Sequence, residues 1–236
     1  MNEAAGVFYP PMNFLTSLIP RPVIAAGRLL QVFLGTHGHS RRVSGMPVDG
    51  HGNFIPWLTY PMIEFLNGFD FSDATVFEFG TGGSTLYWAG RAKNVVSVEL
   101  DAAWAARLAA IAPSNVRIIH EPNGHRYAEA PIALDRTFDV IVIDGAERYR
   151  STRAAIGCLA PGGMIILDNA EWYPNCAALL AESGLIEVPF SGFPPINAFP
   201  STSSAFLSRD LSFPRLPRAL PVGGRALADG ALDDKY

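Results

Sequence analysis

The chain has 236 residues, 49% of them hydrophobic and 17% charged, which suits one α/β domain with a sizeable core. Its 18 basic and 22 acidic residues leave a net charge of −4 and form no basic stripe, which argues against a nucleic-acid backbone as the main partner. Cys158 and Cys176 stand far apart with no Cys-x-x-Cys pattern, so neither a disulfide framework nor a thiolate zinc site is expected, and a reducing cytoplasm is the simplest location.

Residues 1–54 are punctuated by Pro and Gly and are expected to form an N-terminal helical extension or lid. Met1-Asn2-Glu3 lacks the basic start of a signal peptide. Phe14 to Leu34 is apolar, but Pro20, Arg21, Pro22 and Arg28 interrupt it, so it is not a transmembrane span. Val23 to Phe33 predicts an amphipathic helix packed on the domain or on a partner subunit, with peripheral membrane contact as the alternative. His37-Gly38-His39 is expected in a solvated loop. Trp57 to Leu66 is helical in pattern and would either cap a ligand site or pack on the sheet.

Val76-Phe77-Glu78-Phe79 then reads as a buried strand, followed by the glycine-dense turn Gly80-Thr81-Gly82-Gly83-Ser84 and a helix from Thr85 to Ala92. Val95 to Glu99 is a second strand, Asp101 to Ala112 a helix stopped by Pro113, and Val116 to His120 a third strand. Phe138 to Asp144 is a buried strand, Thr152 to Leu159 its helix, and Pro161-Gly162-Gly163 a turn. Met164 to Asn169 is a fifth strand, Pro174 to Ser183 a helix, and Leu185 to Phe190 and Ser204 to Leu207 two closing strands. Strands alternating with helices predict a mostly parallel sheet covered on both faces, within a domain of residues 55–210. Residues 211–236, rich in Pro and Gly, are expected to form an arm or a disordered end.

Acids close four of these strands, at Glu78, Glu99, Asp144 and Asp168. Ligands of such sheets lie outside the strand carboxyl ends. A buried acid there calls for a ligand, a metal or a partner. Gly80 and Gly82 would let the backbone approach a ligand closely. Glu78 beside this turn disfavours a pyrophosphate and suits a cationic group. Thr85 stands where a dinucleotide fingerprint has its third glycine. Glu99 follows the turn by about 20 residues, the spacing at which a carboxylate meets ribose hydroxyls. A ribose and a positive charge without phosphates describe S-adenosylmethionine better than NAD.

On these residues the chain resembles the class I S-adenosylmethionine-dependent methyltransferases, over roughly residues 55–210. Glu78-Phe79-Gly80-Thr81-Gly82-Gly83 is similar to their Glu/Asp-x-Gly-x-Gly signature and Glu99 to their ribose-binding acid. The resemblance implies a Rossmann-like seven-stranded, mostly parallel sheet with helices on both faces and a C-terminal antiparallel strand. It also implies that Glu78, Gly80, Thr81, Gly82, Ser84, Thr85, Glu99 and Asp144 line the cofactor site.

Asp144 and Asp168-Asn169 further resemble the metal ligands of the cation-dependent O-methyltransferases of the catechol and macrocin types. That resemblance implies a Mg²⁺ or Ca²⁺ held by Asp144, Asp168 and Asn169, orienting an acceptor hydroxyl. The alternative is that Asp144 contacts the cofactor and Asp168-Asn169 caps the next helix. Catechol-type enzymes carry a lysine three residues beyond the first Asp, where this chain has Glu147 followed by Arg148. Glu147, His120 and His125 are therefore the candidate bases. The expected reaction is O-methylation of a small molecule or glycan. Rival expectations are an NAD-dependent oxidoreductase, an aminopropyl transferase and a non-catalytic cofactor-binding module. The aromatic loop from Ser191 to Thr202 would serve as a substrate wall or as a contact between copies of the chain.

Overall fold

The computed structural model describes residues 20–224. Helix α1 spans Arg21–Leu30 and runs on into a π-helical stretch, Gln31–Thr36; a short hairpin of β1 (Arg42–Val43) and β2 (Met46–Pro47) follows. Helix α2 (Tyr60–Leu66) leads into the main sheet. Its strands are β3 (Thr75–Phe79), β4 (Asn94–Glu99), β5 (Val116–His120), β6 (Phe138–Ile143), β7 (Leu159–Leu167), β8 (Ile186–Gly192) and β9 (Ser201–Leu207). The helices between them are α3 (Gly83–Ala89), α4 (Ala102–Ala109), α5 (Gly124–Ala128), α6 (Arg148–Cys158) and α7 (Pro174–Glu182).

The seven strands lie in the order β5-β4-β3-β6-β7-β9-β8. Strands β3 to β7 pair in parallel, and β9 is antiparallel to both β7 and β8. The order reverses beside β3, whose neighbours are β4 and β6. That is the topological switch point at which an open α/β sheet leaves a crevice. The fold is thus a Rossmann-like sheet with a reversed strand near its C-terminal edge.

Apolar residues of both parities are buried along the central strands, because helices cover both faces. Val76, Val140, Val142, Met164 and Ile166 pack with Leu58, Met62, Leu66 and Trp88 on one side. Phe77, Phe79, Ile141, Ile143, Ile165 and Leu167 pack with Ala154, Ala155 and Leu180 on the other. Burying one such large side chain stabilises the fold by about 1.5–3 kcal/mol. The same alternation orders the acids. Glu78 lies opposite Ser97 and Val142, in the row of Val76, and Asp144 and Asp168 prolong the rows of Val142 and Ile166.

Three expectations need correction. Pro161-Gly162-Gly163 does not end a helix–strand connection: β7 begins at Leu159, and the register with β6 shifts between Phe138 and Val140, so the glycines form an irregularity inside the strand. His37-Gly38-His39 is not a solvated loop. Gly38 is buried, and His37 stacks on Tyr60 with ring centroids 4.0 Å apart. Burial holds both histidines below the usual imidazole range, His39 adding to the effect at His37. The third concerns the C-terminal segment. Its described part, 211–224, is no free arm: Phe213 packs on Phe71, and Asp70 N–H donates to the Pro214 carbonyl at 2.9 Å. Residues 225–236 lie outside the described residues, as do residues 1–19 of the N-terminal extension.

Helix α1 is amphipathic as predicted, but none of its residues is buried, and Val23, Leu29 and Leu30 are exposed. No described helix is long and apolar enough to cross a membrane.

Candidate active site

The glycine turn joins β3 to α3. Gly80 has φ of +93°, a left-handed value that favours glycine, while Gly82 at 176° is extended backbone open to any residue. A Cβ on Gly80 would meet the Cα of Gly145 at 3.2 Å, so the turn lies directly on the loop after β6. Gly145 has no room for a side chain either. A Cβ there would sit 2.8 Å from Gly80 N and run into the Tyr127 hydroxyl. This glycine–glycine contact brings Asp144 beside the turn.

Thr85 explains why the third glycine is absent. Its buried hydroxyl accepts from Gly82 N–H at 3.0 Å and donates to Glu78 Oε2 at 2.5 Å. Ser97 donates to the same Glu78 oxygen at 3.0 Å. Glu78 Oε1 is buried and has no partner. Burial pushes the Glu78 carboxyl up to about 7, against the neighbouring hydroxyls of Ser84, Thr85 and Ser97. An orphan carboxylate oxygen of this kind is an acceptor waiting for a donor or a cation.

Glu99 closes the other side. Its Oε2 accepts from both the amide and the hydroxyl of Thr81, at 3.1 and 3.0 Å, and its Oε1 accepts from Leu100 N–H and Asp101 N–H, at 2.8 and 3.0 Å. The carboxylate therefore shapes the glycine turn as well as facing the crevice. Trp104 adds to the turn's order, its indole N–H donating to the Thr81 carbonyl at 2.8 Å.

Two cavities meet at this point. One, of about 180 Å³, is lined by Glu78, Gly80, Glu99, Tyr127 and Gly145. The other, of about 430 Å³, is lined by Met46, Trp57, Trp104, Asp168, Asn169, Trp172 and Asn197. Thr81, Ser84 and Asp144 line both. The cofactor candidates Glu78, Gly80, Thr81, Gly82, Ser84, Glu99 and Asp144 are thus brought together around the crevice, with Thr85 buried behind the turn.

The candidate bases are not. His120, at the end of β5, is exposed and lines neither cavity. His125 pairs with Glu129 at 3.1 Å on the surface. Glu147 has φ of +51°, sits just before α6, and turns outward to Arg150 at 3.1 Å. Its carboxylate lies against Gly124, away from both cavities. The helix after β6 begins at Arg148 rather than Thr152, and this earlier start turns Arg148 inward.

Arg148 decides the electrostatics of the strand ends. Its side chain is 9% exposed. It donates to Asp144 Oδ1 at 3.0 Å and to the carbonyls of Ile143, Gly145 and Asp168 at 2.9, 2.7 and 2.7 Å. Asp168 instead accepts from the Ser203 hydroxyl at 2.6 Å. Burial holds both carboxyls above the ordinary range. Arg148 opposes this at each, while Glu78 adds to it at Asp144 and Asp144 adds to it at Asp168. Asn169 has φ of +53° and does not cap the next helix through its side chain. Among the described residues no three His, Cys, Asp or Glu side chains converge as a metal set. Asp144, Asp168 and Asn169 do line one cavity, but a permanent cation already holds Asp144. The donor set does not fit a divalent ion.

Gly145, Arg148, Tyr127, Trp172 and Ser203 also belong to this region, and none was expected there from the sequence. Only Gly145 had a legible signal, a glycine directly after a strand-end acid.

No family model matches the chain, and no curated protein matches it. Among solved structures it is similar to a precorrin-6y C5,15-methyltransferase from Geobacter metallireducens, at 15% identity over 58% of this chain and 80% of that one, with a TM-score of 0.46. It is also similar to the N-methyltransferase NodS from Bradyrhizobium japonicum, at 14% identity over 63% and 92%, TM-score 0.47. A third is a spermidine synthase from Thermotoga maritima, at 16% identity over 64% and 56%, TM-score 0.47. At such values no function is carried across from them.

Proposed function

We propose that the protein is an S-adenosylmethionine-dependent methyltransferase acting on a hydroxyl of a small molecule or glycan. The observation that carries this reading is the pair of joined cavities at the switch point. The smaller offers the unpartnered Glu78 Oε1 and the Glu99 carboxylate, the larger an aromatic-walled space, and Asp144 faces both.

When bound, the cofactor would supply an electrophilic methyl group on a sulfonium. Glu99, and Glu78 once a cationic ligand draws off the proton that burial holds on it, would place negative charge and acceptors where the cofactor's cationic end and ribose hydroxyls would be recognised. The same charges oppose a pyrophosphate, which favours this cofactor over NAD. Trp57, Trp104 and Trp172 give the larger cavity an apolar wall, while Asn169 and Asn197 offer polar groups to fix an acceptor. Transfer to a hydroxyl requires that its proton leave. Asp144 is placed to accept it, since its carboxylate lines the boundary between the two cavities. Holding the acceptor oxygen in line with the methyl group is the main task of such a site.

The test is calorimetry followed by turnover. S-adenosylmethionine and S-adenosylhomocysteine are expected to bind in the micromolar range and NAD to give no heat. A screen with methyl-labelled cofactor against neutral sugars, phenols and other alcohols is expected to label an oxygen. Binding of NAD as tight as that of S-adenosylhomocysteine would reject the cofactor assignment. Activity only with decarboxylated cofactor and a polyamine would reject the reaction.

A further inference from the structure

The acids at the ends of β6 and β7 form an oxygen-rich place suited to a cation, and the fold puts Arg148 in it. One guanidinium collects four oxygens: Asp144 Oδ1 and the main-chain carbonyls of Ile143, Gly145 and Asp168. Tyr173 covers its face, with the guanidinium carbon 4.8 Å from the ring centre. Four donated hydrogen bonds and a stacked ring leave the side chain one spare N–H and little freedom to swing away.

We propose that Arg148 is the resident cation of this site, standing where a divalent ion would otherwise be held, and that the protein binds no divalent metal there while Arg148 is present. A guanidinium stays charged across the working pH range, so a second cation beside it would be repelled. Mg²⁺ would need near-octahedral oxygens at about 2.0–2.1 Å, and Ca²⁺ six to eight oxygens at about 2.3–2.6 Å. Here Asp144 Oδ1 is already bonded to Arg148, and Asp168 Oδ1 receives Ser203. Arg148 is thereby a positioning residue. It ties the carboxyl ends of β6 and β7 together and fixes the Asp144 carboxylate between the two cavities. The inference stands on these contacts and holds whether or not the protein transfers methyl groups.

Trp57, Trp104 and Trp172 line the same cavity as Asp144, Asp168 and Asn169. Tb³⁺ bound there would be excited by tryptophan, so its sensitised emission is the readout. The full chain at neutral pH is titrated with Tb³⁺, alone and against Ca²⁺. The native protein and Arg148→Lys are expected to show no saturable emission. Arg148→Ala is expected to gain one-site emission that Ca²⁺ displaces and that the added Asp144→Asn removes. Saturable, Ca²⁺-displaced emission in the native protein that Asp144→Asn abolishes would overturn the proposal. So would a folded Arg148→Ala, judged by circular dichroism, that gains no emission. Should Arg148→Ala fail to fold, the native and Arg148→Lys titrations still decide.

Discussion

Glu99 and Glu78 sit on opposite sides of the same turn and do different work. Glu99 holds Thr81 through two hydrogen bonds, and one of them, from a hydroxyl, could be exchanged for a ribose hydroxyl without unfolding the turn. Hydrogen bonds to a charged group are worth about 1.5–3 kcal/mol each, so Glu99→Ala is expected to weaken S-adenosylhomocysteine binding by roughly tenfold or more. Thr81→Val, which deletes only the competing hydroxyl, is expected to bind about as well as the native protein. Equal losses in the two variants by calorimetry would make loop order, rather than ribose contact, the role of Glu99. Glu78 contributes to pH dependence. Its carboxyl is raised from 4.5 to about 7, so the folded chain keeps a proton that the unfolded chain has released. Without ligand, stability should therefore fall as pH rises from about 4.5 to 7, and Asp144 and Asp168, also raised, act in the same direction. Glu78→Gln keeps an acceptor for Thr85 and Ser97 but cannot ionise. It should flatten part of that slope and exceed the native protein at pH 8 by roughly 1–3 kcal/mol. Urea denaturation at pH 5 and pH 8 measures this, and an unchanged slope would contradict it.

At the scale of elements, the site depends on two loops that touch without side chains. The turn after β3 and the loop after β6 meet through Gly80 and Gly145, with the Tyr127 hydroxyl against the latter. Gly145→Ala must push β6 from β3 or expel Tyr127, and overpacking of this kind costs about 1–3 kcal/mol. Cofactor binding should fall with it, because the displaced loop carries Asp144. A melting temperature and a calorimetric titration check both, and native values in Gly145→Ala would show that the contact is slack. A second tie runs through β9. The Ser203 hydroxyl accepts from Thr59 N–H at 3.0 Å and donates to Asp168, which fixes the approach to α2 against the sheet end.

For the molecule as a whole, the larger cavity exists only in the folded chain. Its walls come from the β1–β2 hairpin, the segment before α2, the glycine turn, helix α4, the residues after β6 and β7 and the loop before β9. Trp57 and Trp172 stand at its rim, 43% and 59% exposed, which is much apolar surface to leave in water without a ligand. Each replaced by Ala should lower kcat/KM for the acceptor by about tenfold while leaving S-adenosylhomocysteine affinity near native. Losses confined to cofactor binding would mean that these residues shape the other cavity.

The seven strands of the main sheet were legible in the sequence alone, because apolar runs closed by acids and glycines have few other solutions in a parallel sheet, whereas the β1–β2 hairpin and α5 were not. That Glu78, the glycine turn and Glu99 gather at the crevice was legible for the same reason: they are local in the chain, and their spacing carries their geometry. The helical reading of α1 also held, although the helix buries no residue. Where the candidate bases and the expected metal ligands lie was decided only by tertiary structure. One left-handed residue, Glu147, turns its own side chain outward and begins α6 early enough to swing Arg148 onto the strand ends. A pattern of acids cannot register that, because the left-handed backbone at Glu147 lies outside what an acid's spacing encodes, and it goes with Arg148 bonding the strand ends. The Gly80–Gly145 contact and the three-tryptophan wall were hidden likewise, since they join segments that only the closed sheet brings together.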